Sequence, residues 1–238
     1  MERLKEVPIY VVATLVVCTS AVWGQAPAAP LFQDGIEGTA TTACTVMKYS
    51  RTGGTKQGYN LIGSVNNPCP KIASASAASD ATIGPPVVNA SGKGGKKDAA
   101  GQSSAYSMDT AFLTPPAGFT DESVHVVAET GYVFELSAQK PRTASWTILW
   151  QVNGHDLHEV IGTTNGNGNL SVNLPFDVSK TSSGFKLRYD VICAVNAALG
   201  ASASCGTSGV ILHLPQGWKY IWASNDAGYG RDSLQAGQ

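Results

Sequence analysis

Between Leu170 and Val178 every second residue is apolar. Leu170, Val172, Leu174, Phe176 and Val178 fall on one side of an extended chain, and Ser171, Asn173, Pro175 and Asp177 on the other. A side-chain period of two belongs to a strand with one buried and one wetted face. Pro175 lacks the N–H that a ladder needs, which predicts an edge strand or a bulge. The pattern returns from Phe185 to Val195, with Phe185, Leu187, Tyr189, Val191, Cys193 and Val195 on one side. Upstream, Trp146 to Val152 is bulky on both faces, as in a central strand. It ends at Asn153-Gly154, a pair that tolerates the positive φ of a type I′ turn, so Leu157 to Gly162 reads as the return strand of a hairpin. Gly166, Gly168 and their asparagine neighbours predict the next turn. Val124 to Ala128 and Tyr132 to Leu136 are expected to pair through a turn at Thr130-Gly131. Counting on through Ile221 gives about seven or eight strands over about 110 residues, the size of one antiparallel β-sandwich.

Within this region the run Tyr189-Asp-Val191-Ile-Cys193-Ala-Val195-Asn196 resembles the sixth strand of fibronectin type III and immunoglobulin-like domains, and Trp150 resembles the core tryptophan of the immunoglobulin fold. The resemblance covers the C-terminal half. No cysteine stands where the immunoglobulin inter-sheet partner is expected. The resemblance therefore implies an all-β sandwich and no particular activity, since such folds host many functions.

Residues 1–24 resemble a secretory signal: Arg3 and Lys5 precede an apolar run from Tyr10 to Val22 that is short for a membrane span. Cleavage would leave no membrane span and a chain that is secreted, extracellular or periplasmic; retention as an uncleaved anchor is the alternative, since Glu2 and Glu6 weaken the basic end. It also leaves four cysteines, Cys44, Cys69, Cys193 and Cys205, an even number that points to disulfides. Four cysteines allow three pairings, which the sequence leaves open; pairing of neighbours, Cys44 with Cys69 and Cys193 with Cys205, is the expectation. The second pair would then staple a hairpin whose loop holds Leu199 and Gly200.

The N-terminal half is patterned more weakly. Thr39 to Ser50 and Tyr59 to Val65 are strand candidates, giving a small disulfide-stapled β segment over 25–70. From 71 to 107 the chain is mostly Ala, Ser, Gly and Lys. It offers little to bury and reads as a low-complexity, partly disordered linker. The sandwich domain then runs over 108–223, followed by a flexible tail, 224–238. Residues 25–100 carry seven Lys/Arg against four Asp/Glu, and residues 101–238 seven against eleven. Neither balance is the basic footprint of a nucleic-acid binder.

Two clusters are candidates for chemistry. His155, Asp156 and His158 follow the Asn153-Gly154 turn and are a candidate metal set; simple strand geometry puts Asp156 and His158 on one face and His155 on the other. A complete site would need a further ligand such as His125 or His213. The commoner origin of such a cluster is a wet, polar hairpin tip. Trp218, Tyr220 and Trp222 recur at period two and would present three rings on one face, either as a platform for sugar rings or as core. No nucleophile motif is present, and no cofactor is expected. The expected function is binding, adhesion or extracellular assembly without catalysis, with a polysaccharide, a cell-surface ligand or a second copy as partner. The alternatives are a small extracellular hydrolase, metal-assisted through His155 and His158, and a structural subunit that assembles by strand addition.

Overall fold

The computed structural model describes residues 31–53, 60–69, 75–82, 86–95, 99–139 and 143–226. The expected signal segment and the tail beyond residue 226 lie outside them. The described chain is all-β and antiparallel: β1 (Phe32–Thr41), β2 (Val46–Gly53), β3 (Asn60–Asn67), β4 (Ala75–Thr82), β5 (Val87–Lys93), β6 (Ala100–Thr114), β7 (Ser123–Ser137), β8 (Ala144–Val152), β9 (His155–Gly162), β10 (Gly166–Thr181), β11 (Gly184–Ala198), β12 (Ser202–His213) and β13 (Lys219–Trp222), then one helical turn, α1 (Ala223–Asp226). Among the described residues no helix is long and apolar enough to cross a membrane.

The strands form a nearly closed barrel rather than the expected unit of seven or eight strands in the C-terminal half. One wall runs β2-β1-β6-β11-β8-β9, and the other runs β10-β7-β12-β5-β4-β3. They join where β10 turns into β11, with Lys180 opposite Phe185. Strand β11 covers one edge of β6 from Ala100 to Leu113. The other edge is divided: β1 pairs with Ala100 to Asp109, and β13 with Ala111 to Thr114. The side chains facing inward from both walls form one large core, in which Trp150, Tyr189, Ile148 and Leu187 are fully buried.

The period-two segments behave as their pattern predicts. Leu174 and Val178 of β10 and the alternate apolar residues of β11 are buried, Val172 and Phe176 are half-buried, and Leu170 is exposed, so the β10 pattern fades toward its start; Pro175 lies in β10 where that strand edges its wall. Asn153 and Gly154 both have positive φ, 52° and 81°, as the hairpin requires. Other expectations are corrected. Thr130-Gly131 is not a turn; β7 runs unbroken through it, because the Ser208 hydroxyl takes the Gly131 N–H at 2.8 Å while β12 shifts register beside it. Gly166 and Gly168 lie inside β10, and Gly168 sits against the Phe134 ring where a Cβ would collide. The single strand expected over 39–50 is two strands around a turn, in which Thr42 Oγ1 accepts the N–H groups of Cys44 and Thr45.

The largest departure lies in 71–107, expected to be an unordered linker. Its described residues form β4, β5 and the first half of β6, inside the sheet. Their small side chains let the two walls approach at backbone distance. A Cβ on Gly101 would strike the Ser76 carbonyl and the Lys93 backbone; one on Gly92 would strike the Gly101 carbonyl. Ala40, Ala75 and Ala99 form a second small core beside them. The glycines and alanines among the described residues of 71–107 therefore serve tight packing, since at Gly92 and Gly101 even one added methyl has no room.

Both expected disulfides are present, Cys44–Cys69 and Cys193–Cys205. The second does not staple a hairpin: β11 and β12 lie in opposite walls, so it ties the walls together. The first helps seal β2 to β3, which share no backbone ladder among the described residues and are joined there by the Arg51 guanidinium donating to the Ile62 carbonyl at 3.3 Å. Beside it the buried Asn67 amide donates to the Ala40 and Thr45 carbonyls, at 2.9 and 2.8 Å. Tyr49 from β2 spans the same seam, lying over Gly38 of β1 and Gly63 of β3.

Gly101→Ala is expected to destabilise the protein by about 1–3 kcal/mol, because the added methyl meets backbone and not a movable side chain. Gly166→Ala, where nothing lies within 4 Å, is expected to be near neutral. Urea unfolding of the two variants beside the parent checks this; equal midpoints would contradict the tight approach of the walls.

Candidate functional site

The outer face of the β10-β7-β12-β5-β4-β3 wall carries a continuous polar surface. Its register sets side chains in rows across the strands. One row runs Asn167, Glu135, Ser204, Ser91 and on to Ser64; a second runs Ser137, Ser202, Lys93, Ser76 and Asn66. The alternate residues, such as Leu136, Ala203, Cys205 and Val88, are buried on the inner side. The small hydroxyls leave the pleated backbone low between the larger Glu135, Lys93 and Asn66. Two shallow depressions result, of about 400 and 520 Å³, meeting at Glu135 and Ser204. The surface offers hydroxyl and amide donors and acceptors, one acid and one base, on strands held rigid by the core beneath.

His155, Asp156 and His158 do not converge. A bulge between Trp150 and Gln151 changes their facing: His158 registers with Trp150, Asp156 with Gln151, and His155 with Val152. Asp156 therefore points outward and accepts the Gln151 amide at 2.7 Å, while His158 turns inward and stacks on Trp150 at 5.7 Å. That is the reverse of the facing that unbroken strand geometry predicts. His125 and His213 are held elsewhere, on Asp177 at 2.9 Å and Glu129 at 2.7 Å. Among the described residues no three of His, Cys, Asp and Glu gather as a metal set.

Trp218, Tyr220 and Trp222 are 4, 6 and 3 % exposed. Trp218 meets Phe119 and Phe185 edge to face, at 4.8 and 4.9 Å between ring centres, and the Tyr220 hydroxyl bonds the Leu212 backbone. The three rings close one end of the core, and none offers an open face to stack on a sugar. A second aromatic group, Tyr132, Phe134, Trp146 and Trp150, lies under the notch between the free edges of β9 and β10, where Gly162 and Gly168 leave room for the rings.

A buried acidic pair, unmarked by any pattern along the chain, lies inside the barrel. Asp34 of β1 and Asp109 of β6 are both fully buried and face inward. Asp34 accepts the Ser107 hydroxyl at 2.7 Å, and its other oxygen, Oδ2, has no partner among the described residues. Asp109 is better supplied: it accepts the N–H of Thr110 at 2.7 Å and both the N–H and the hydroxyl of Ser224. Burial pushes each carboxyl up to about 7, and for Asp34 the neighbouring Asp109 adds to the rise. On the outer face, Asp190 is also raised by burial, although it holds a bidentate contact with Arg188 at 2.8–3.0 Å. Asp34 and Asp109 are sealed in the core, so no substrate reaches them in this conformation.

No family model matches the chain, and no curated protein is similar to it.

The buried pair has a signed consequence. The unfolded carboxyls titrate near 3.8, the folded ones near 7, so the unfolded chain releases its protons first as pH rises. Stability contributed below about pH 4 is lost as pH climbs through about 7, by about 4 kcal/mol for a single group raised this far. Urea midpoints are expected to be higher at about pH 4.5 than at about pH 8. A midpoint that is flat, or rises, across that interval would contradict the assignment.

Proposed function

We propose that the chain is a secreted or cell-surface protein without catalytic activity, working in binding, adhesion or extracellular assembly through surface recognition. The observation that carries this reading is the outer polar face of the β10-β7-β12-β5-β4-β3 wall. Its hydroxyl and amide rows, with Glu135 and Lys93 nearly balancing in charge, suit a neutral, polyhydroxylated ligand such as a polysaccharide chain. Rigid strands add little ordering cost on binding, which favours recognition by a broad and shallow surface. Two disulfides accord with an oxidising environment outside the cytosol.

Pull-down on a panel of neutral and acidic polysaccharides tests the reading, with the parent beside Ser204→Tyr. That position is half-exposed where the two depressions meet, so the added ring obstructs the face without entering the core. Binding by the parent and a roughly tenfold loss in the variant are expected. No retention of the parent on any polysaccharide would overturn the polysaccharide reading.

A second observation favours assembly by strand addition. Strands β9 and β10 each present a free edge beside the notch between them, and exposed strand edges template pairing with another chain. On this reading the mass measured by light scattering rises with concentration, and Val172→Pro on β10 suppresses the rise. A strict monomer at every concentration would remove it.

A further inference from the structure

The second edge of β6 is filled from two directions. Strand β1 begins at Phe32 opposite Asp109, and β13 ends at Trp222 opposite Ala111. The two strands therefore meet end to end, with only Thr110 between their registers. The inward-facing acids sit at this splice. Asp109 bridges β6 to α1 through the Ser224 N–H and hydroxyl. Asp34 lies two residues along β1, with its Oδ2 buried and unpartnered. We propose that Asp34 and Asp109 form a proton latch: a proton on Asp34 lets Asp109 keep its bonds to Ser224, and loss of that proton releases the chain end around Trp222 and α1 from β6.

The donors decide which acid holds its proton longer. Asp109 has three donors, which support a negative charge. Asp34 has one, and an oxygen turned into the apolar core without a partner among the described residues, which supports the neutral form. When both are charged, two desolvated carboxylates repel each other across the splice. Water can relieve this only if one strand gives way. Strand β1 is held to β6 by ten register pairs and to β2 along its other edge, whereas β13 is held by four pairs. The chain end therefore moves and β1 stays.

The surroundings offer no compensating charge among the described side chains. The groups acting on Asp34 are Ser107 and Asp109, and those acting on Asp109 are Ser224 and Thr110. From β6, Tyr106 sits on the outer face and is engaged with Thr52 of β2; from β11, Arg188 is on the outer face and engaged with Asp190. Tyr189 faces inward beside Asp109, with its hydroxyl driven far up by burial alone, so it stays neutral. From β13, Lys219 is exposed and Tyr220 bonds the Leu212 backbone.

Amide exchange of the full chain, corrected for the intrinsic effect of pH, tests the latch. Between about pH 5 and about pH 8, peptides covering residues 219–226 are expected to lose roughly tenfold in protection, while β1 and the centre of β11 keep theirs. Asp34→Asn keeps an acceptor for Ser107 and removes the charge, so it is expected to hold the chain end equally at both values. An unchanged parent, a loss shared by the whole molecule, or the same loss in Asp34→Asn would each overturn the proposal. Should the variant not fold, carbon-13 titration of the aspartate carboxyls in the parent decides. A buried carboxyl titrating near neutrality supports the latch, and both acids titrating in the ordinary range overturn it.

Discussion

The architecture depends on how β6 is paired. It is as long as β11, its neighbour in the same wall: one side is given wholly to β11, and the other is divided between the first and last described strands. A strand buried among others cannot leave backbone groups unpaired, because an orphaned N–H or C=O costs about as much as a lost hydrogen bond. That demand draws Phe32–Thr41 and Lys219–Trp222 to the same line, although nearly the whole described chain separates them. It also explains why charged groups are tolerated inside. Where β1 and β13 abut, the ladder is interrupted, and the Asp109 carboxylate takes the Ser224 N–H that regular pairing would have satisfied.

The same closure explains why some elements were legible in the sequence and others were not. Strands β8, β10 and β11 pack large side chains against a deep core, so their period of two is written in Leu, Val, Phe and Trp. At the end of the barrel formed by β4, β5 and the start of β6, the walls approach until Gly92 and Gly101 face each other through backbone atoms. Such an interface is built by removing side chains. In composition it looks like a segment with nothing to bury, although Ala75, Ala90, Ala99 and Ala105 are all buried. Hydrophobicity measures what each residue brings to the core, and here the stabilising quantity is contact distance, which composition does not record.

Local chemistry misled in two places for definite reasons. Thr130-Gly131 has the residues of a turn, but a hydroxyl from 77 residues away satisfies its backbone in an extended form. His155 and His158 share a side only because a bulge inserts one residue between them, and that bulge is fixed by the pairing of β8 with β9. The period of two puts Tyr220 and Trp222 on one face of β13, with Trp218 just ahead of the strand; that their rings turn inward depends on partners distant in sequence, such as Phe119 and Phe185 against Trp218. The polar rows of the outer face did leave a signal, in the alternation of Ser202 and Ser204 with Ala203 and Cys205, and of Ser91 and Lys93 with Ala90 and Gly92. What the sequence lacked was the register that lines those short runs up across six strands.

That register also separates the two functional features physically. Packing constrains every inward position of the β10-β7-β12-β5-β4-β3 wall, down to single methyl groups, and leaves the outward positions free to be chosen for what they contact. A run of serines on that face costs the core nothing, and small hydroxyls are a poor choice for stability alone, since they bury little and have weak strand preference. The acids at the splice are the opposite case. They lie where packing is strictest and apolar residues would be more stabilising, yet Asp34 holds an unpartnered oxygen in the interior. A buried polar group with one partner is a standing cost to the folded state. Its presence on β1, which meets β13 end to end along β6, ties the interior chemistry to that seam and not to the outer face.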